Sequence, residues 1–202
     1  MKRTLCIITA LVMCMTIAVT SVAADTFVPS VTAKPAPGLS HQTQIEVVDG
    51  DDKTVESFKY NDVKITPVAK KDDKKTAEEV KEALTEAYNT LNAENVKLEE
   101  VMPALKDVVA AAAEEYKDLK IADLVVKDLF NVALDEEIEE YLAKDGHFVK
   151  LRIKAKIAKD QFCAVMVCVD GVWEPVEFER NRDGSLTLKL QAPGVVAILV
   201  KP

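Results

Sequence analysis

The side chains best suited to covalent chemistry are two histidines and the two cysteines beyond the N-terminal apolar segment. His147 with Cys163 or Cys168 would make a thiol–imidazole pair, which is one way of activating a cysteine nucleophile. The only other histidine is His41, and a lone histidine beside a turn is more often simply solvated. The chain has no G-x-S-x-G serine motif, no CxxC or HExxH zinc motif and no glycine-rich phosphate loop. We therefore expect neither an enzyme nor a cofactor or metal site.

A second candidate is the charged pair Lys127-Asp128, which interrupts the apolar run LVVKDLFNVAL at 124–134. Adjacent residues of a strand point to opposite faces, so the pair is poorly placed to form one site. A β-bulge or a bend at these residues would let both side chains reach solvent or a backbone partner. We interpret the run as a strand with two apolar faces and a bulge; an enzyme using Asp128 and His147 is the alternative.

The most specific surface feature is a basic stripe in VKLRIKAKI, at 149–157. Its four cations alternate with apolar residues: Lys150, Arg152, Lys154 and Lys156. On an extended strand they lie on one face, about 6.6 Å apart, and would follow an anionic polymer of the cell wall. The interpretation that we favour, given the net negative charge, is a ladder of charge pairs with an acidic strand, WEPVEFE at 173–179, whose acids are Glu174, Glu177 and Glu179.

Trp173 is the only tryptophan. An exposed aromatic ring on a sheet can stack on a sugar, but sugar sites usually gather several aromatic rings. Aromatic residues make up only 5% of this chain, which favours a core or rim position for Trp173. In the alternative in which the Trp173 ring is exposed, the candidate ligand surface is the basic stripe together with Trp173.

The first 24 residues have the pattern of a secretory signal peptide. Lys2 and Arg3 precede an apolar segment at 5–19, and small residues then lead to a cleavage site at Ala24/Asp25. An uncleaved membrane anchor is the alternative, since apolar and small residues continue for about the 20 positions that a spanning helix needs. We expect a secreted or extracytoplasmic protein that contacts the membrane only through this peptide before cleavage.

The charge balance argues against nucleic acid as a partner. The chain has 26 basic and 34 acidic residues and a net charge of −8. Without Lys2 and Arg3, 24 basic residues face 34 acidic ones, which gives −10. Nucleic-acid binding needs a basic surface that displaces counterions from phosphates. The expected partner is an unknown protein or a cell-wall polymer.

The two mature cysteines, Cys163 and Cys168, lie in the apolar run FCAVMVCV. If this run is a strand, their Cα atoms are about 16 Å apart. A disulfide requires Cα atoms within about 7 Å. We expect two free thiols that serve as small hydrophobic residues.

The elements that would position these residues fall into three parts. Residues 25–43 carry three prolines and no periodicity, which indicates a proline-rich tether. Residues 44–120 predict a small α+β segment of short strands and a helical hairpin. Its first helix begins at Thr76, with Glu79 completing a capping box, and Pro103 starts or kinks the second.

From residue 121 the apolar period changes to two. Glycine follows aspartate at four positions, the favoured pair for a tight hairpin: Gly50, Gly146, Gly171 and Gly184. Residues 121–202 therefore predict an immunoglobulin-like antiparallel β-sandwich, which makes the fold class α+β. Its predicted core is Val149, Leu151, Ile153, Val176, Phe178, Leu186, Leu188, Val196 and Ile198.

Five short motifs carry a resemblance to a family. LVVKDLFNVAL, DGVWEPVEF, DGSLTLKL and APGVVAILV, with DVKITPV ahead of an acidic helix, are similar to a β-rich module of exported proteins from anaerobic Firmicutes. The resemblance covers residues 44–202 and implies no established activity. We therefore expect an exported, non-enzymatic interaction or structural module of the cell envelope or extracellular space. A module that binds wall glycan or another anionic polymer is the alternative.

Overall fold

The computed structural model describes five stretches of the chain: residues 44–59, 62–67, 78–93, 96–144 and 146–202. The expected signal peptide and proline-rich tether lie outside the described residues, and so does Thr76, the expected helix cap. Within the described stretches, no helix is long and apolar enough to cross a membrane.

Strands account for most of the regular structure. In chain order, the described strands are β1 (Gln44–Val48), β2 (Thr54–Lys59), β3 (Val63–Pro67), β4 (Val125–Leu134), β5 (Phe148–Ile153), β6 (Cys163–Val169), β7 (Val172–Pro175), β8 (Glu177–Arg180), β9 (Leu186–Leu190) and β10 (Gly194–Val200). The helices are α1 (Glu78–Leu91), α2 (Leu98–Val101), α3 (Leu105–Ala112) and α4 (Glu136–Leu142), with a 3₁₀ turn at Ile121–Asp123. Pro103 falls between α2 and α3 and separates them, as its missing N–H predicts.

The strands form two antiparallel sheets of five strands each. Sheet A has the order β2-β1-β5-β9-β8, and sheet B has the order β3-β4-β10-β6-β7. The predicted α+β class with a sandwich of antiparallel sheets is therefore confirmed. Strands from the 44–120 segment enter both sheets, because β1 pairs with β5 and β3 pairs with β4. The chain division drawn at residue 120 thus does not divide the sheets.

The molecule has three layers with two apolar interfaces. The inner faces of the two sheets enclose one core, which includes Ile45, Leu151, Phe130 and Val196. The other face of sheet B is covered by α1, α2 and α3 and encloses a second core. Eight of the nine residues predicted for the sandwich core are buried, and Phe178 is half-buried against it.

The bulge predicted at Lys127-Asp128 is present in β4. The register against β10 shifts there, since Ile198 lies opposite Asp128 and Leu199 lies opposite Val126, which leaves Lys127 as the extra residue. The bulge redirects the strand so that Val126 and Leu129 face the helices while Phe130 and Val132 face sheet A. β4 is therefore apolar on both faces because it lies between two cores.

Candidate functional site

The basic stripe lies on the outer face of sheet A. Val149, Leu151 and Ile153 point into the core between the sheets, so Lys150 and Arg152 point away from it. β5 ends at Ile153, but alternating burial continues to Ile157. Lys154 and Lys156 consequently follow the strand as exposed side chains. Within the described stretches, neither forms an ion pair.

Asp52, from the turn between β1 and β2, lies between two lysines. Its carboxylate oxygens are 3.1 Å from Lys150 Nζ and 3.0 Å from Lys189 Nζ. Lys150 and Lys189 face each other directly across β5 and β9, an arrangement that is destabilising for like charges. The ammonium groups of Lys189 and Lys150 lower the pKa of Asp52, so its anion bridges the two.

Arg152 belongs to a network at the other end of the sheet. Its Nη2 donates to Asp183 Oδ2 at 2.9 Å, and its Nε donates to the Ser185 hydroxyl at 2.9 Å. The Ser185 hydroxyl in turn donates to Asp183 Oδ1 at 2.6 Å. The hydroxyl and backbone N–H of Ser185, together with Arg152, lower the pKa of Asp183 to about 2.

This pKa predicts a pH dependence of stability. A carboxyl group whose pKa is depressed by folding stabilises the native state above its unfolded pKa, here near 3.8, and loses that contribution as the pH falls through about 2. The Asp183→Asn variant should therefore lose less stability than the parent protein between about pH 5 and pH 2. Urea midpoints across this range measure the difference. Asp160→Asn, at an exposed aspartate without an ion pair in the described stretches, is the control and should follow the parent curve.

The prediction that the acidic strand WEPVEFE lies beside the stripe is wrong. The glutamates of WEPVEFE do not lie beside β5, whose neighbours are β1 and β9. Glu177 and Glu179 lie on β8, one strand further away at the edge of sheet A. The reason is that β8 pairs with the strand following it, so β9 separates it from β5. Aspartates from two turns pair with Lys150 and Arg152 instead, and the glutamate opposite Lys150 is Glu46 of β1.

Trp173 and the basic stripe are not brought together. Trp173 is only 6% exposed and packs in the second core, between sheet B and the helices. The stripe is on the opposite side of the sandwich, beyond both sheets. The structure thus places Trp173 in a core, which is the position that its sequence context favoured.

Cys163 and Cys168 are free thiols, as predicted. Burial raises the pKa of Cys163 to about 12, so its thiol stays protonated at neutral pH. Burial also raises the pKa of Cys168. No hydrogen bond within the described part of the chain joins either thiol to His147, whose Nδ1 is buried without a partner there.

Cys163 should resist alkylation while the protein is folded. At about pH 8, iodoacetamide should label Cys163 at least about 100-fold more slowly than after unfolding in urea, because only the thiolate reacts. Peptide mass spectrometry over a time course measures both rates. Cys168, which is half-buried, provides the internal comparison and should react faster. Equal rates in the folded protein would contradict the burial of Cys163.

A cleft of about 780 Å³ opens where the helices meet one end of sheet B. Its floor includes the buried residues Asn131, Trp173 and Val195. Its rim carries the exposed acidic residues Glu86, Glu100 and Asp170, and among the described residues no lysine or arginine lines it. Asn131 was not predicted as a functional residue from the sequence. The available signal was a single amide side chain inside the apolar run LFNVAL.

Asn131 is the most unusual residue of this cleft. It is 7% exposed and lines the cleft. Its carboxamide makes no hydrogen bond with the described residues, and its nitrogen and oxygen are not among the side-chain atoms that are shut off from solvent without a partner. A side chain that is so largely buried normally has a hydrogen-bond partner. The amide is therefore available to a bound molecule.

No group of three or more acidic, histidine or cysteine side chains in the described stretches is arranged to hold a metal ion. Comparisons of the chain with protein-family models, with curated proteins and with solved structures give no match.

Proposed function

We propose that the chain is an exported, non-enzymatic interaction module of the cell envelope or extracellular space. It engages a protein partner through the outer face of sheet A. The observation that carries this proposal is the pairing of Lys150 and Arg152 with Asp52 and Asp183. Because these cations are already paired, the face displays fixed charges of both signs. Such a surface suits a partner with a complementary pattern, which charge interactions select with high specificity.

The scaffold of this proposed module is an immunoglobulin-like sandwich. Support comes from the strand order, in which non-consecutive strands are neighbours in both sheets: β1 lies beside β5, and β4 lies beside β10. Such crossovers are typical of Greek-key sandwiches. The sequence-derived secretion signal and the resemblance to exported modules support an extracytoplasmic location.

Charge reversal tests the protein-partner proposal. Immobilised protein should retain one or more secreted proteins from the source culture, and Asp52→Lys with Asp183→Lys should reduce retention at least about tenfold, because like-charge contacts oppose binding. The control is Glu82→Lys with Asp107→Lys, which makes the same change of charge on the helices. Loss of retention in both variants, or in neither, would contradict the role of sheet A.

A second candidate function is binding of an anionic wall polymer. It is favoured by Lys154 and Lys156, the exposed stripe cations that have no ion pair in the described stretches. Purified cell wall discriminates between the candidates. If the protein binds the polymer, it should be retained on the cell wall, and about 0.5 M salt should abolish this retention by screening the charges. The Lys154→Gln with Lys156→Gln variant should also lose the retention. The partner proposal predicts that this variant and its control, Lys106→Gln with Lys117→Gln, behave alike.

A further inference from the structure

The cleft between the helices and sheet B has the features of a ligand site. It lies on the side of the sandwich opposite the sheet A face, so it is separate from the proposed partner surface. Its volume of about 780 Å³ falls in the range of sites for small molecules, about 300–1,000 Å³. Such sites combine apolar walls with a few polar groups that fix orientation.

The walls and rim of the cleft define the chemistry that it accepts. Ala83, Ala87, Val101 and Val195 supply apolar surface for a carbon chain. Of the acids on the rim, Glu100 pairs with the exposed Lys97 at 3.2 Å. Glu86 and Asp170 have no ion pair in the described stretches. The described part of the rim is therefore negative, with no lysine or arginine among its lining residues.

Two of the rim carboxylates, those of Glu86 and Asp170, lie near Cys168. Burial raises the pKa of the Cys168 thiol, and the negative charges of Glu86 and Asp170 raise it further, which places both within electrostatic reach of Cys168. They do not form a group able to hold a metal ion. An organic cation can contact separated carboxylates in turn and leave its carbon chain against the apolar wall.

We propose that this cleft binds a primary alkylammonium group, with Asn131 as the group that fixes its position. The carboxamide oxygen of Asn131 accepts a hydrogen bond from the ammonium group, which gives this largely buried side chain a partner. Glu86 and Asp170 attract the charge, and the carbon chain lies along the apolar wall. The same chemistry is offered by a free diamine and by a lysine side chain of a peptide.

Calorimetric titration of protein purified after expression of the complete chain tests the proposal. The probes are 1,5-diaminopentane, pentanol as its uncharged counterpart, and capped tripeptides with a central lysine or norleucine. We expect saturable binding of the diamine or the lysine peptide at least about tenfold tighter than that of the uncharged counterpart, because ammonium adds charge-assisted hydrogen bonds. Whichever of the two cations binds more tightly shows whether the ammonium group belongs to a free diamine or to a lysine side chain. Equal affinity for charged and uncharged probes, or no saturable binding, overturns the proposal.

Substitutions in the cleft test whether the amine binds there. Asn131→Leu should weaken binding of the amine by about tenfold or more. The urea midpoint should be unchanged, since no side-chain hydrogen bond within the described stretches is lost. Glu86→Gln with Asp170→Asn should weaken binding of the amine by about fivefold. Glu82→Gln with Glu114→Gln, which removes two exposed carboxylates outside the cleft, should have no such effect.

The carboxylate variant keeps the test decisive if Asn131→Leu does not fold. Unchanged amine affinity in either cleft variant, or an equal loss in the control pair, places the site elsewhere and overturns the proposal. These measurements use no protein partner. A negative result in the amine titrations therefore leaves the sheet A proposal untouched, because that proposal is tested by retention of a protein partner.

Discussion

Replacing Phe130 by alanine should lower the free energy of unfolding by about 3–5 kcal/mol. Phe130 is fully buried on β4 and belongs to the core that the two sheets share. Removal of its ring leaves a cavity that the flanking strands cannot fill, because β4 is paired on both sides, with β3 and β10. Lost transfer free energy and the residual cavity both contribute to the effect. Urea unfolding followed by circular dichroism measures it.

Val172→Ala is the control for this substitution. Val172 is an apolar residue of the same sheet but is 60% exposed, so its truncation should change stability by no more than about 0.5 kcal/mol. A loss below about 1 kcal/mol for Phe130→Ala would mean that the sheets do not pack through this ring. The three-layer arrangement would then need revision.

Replacing Gly194 by alanine should cost about 3 kcal/mol, the upper part of the range for overpacking. Gly194 begins β10 at φ 156°, and a Cβ at this position would overlap the carbonyl oxygen of Cys168 and press on Val167. The obstacle is backbone of the neighbouring strand, so relief requires β10 and β6 to separate at this end. The same urea measurement gives the loss.

The Gly171→Ala variant distinguishes the stability cost of steric overlap from the cost of backbone strain. Gly171 also has a positive φ, 81°, but a Cβ there meets no atom within 4 Å. Its substitution should cost only the strain of a left-handed residue, about 1 kcal/mol. Similar losses for the two variants would contradict the close approach of β10 to β6.

Much of the local structure followed from the sequence alone. A period of two in VKLRIKAKI determined which side chains of β5 face the core, because successive residues of a strand point in opposite directions. The separation of Cys163 and Cys168 along one strand excluded a disulfide between them. The charged pair in LVVKDLFNVAL indicated the bulge, because two adjacent charges in a strand with two apolar faces need a local change of direction. Each conclusion depends on geometry within a few residues.

The tertiary structure alone decided which strands are neighbours and what the resulting surfaces contain. Nothing near Lys150 in the sequence indicates that Asp52, from a turn about a hundred residues earlier, bridges it to Lys189. Likewise, the cleft combines Glu86 of α1, Asn131 of β4 and Trp173 of β7. Strand order depends on the total burial achieved by the whole chain, whereas alternation and turn residues act locally. The sequence therefore determined the faces of the strands, and long-range packing determined which faces and turns meet.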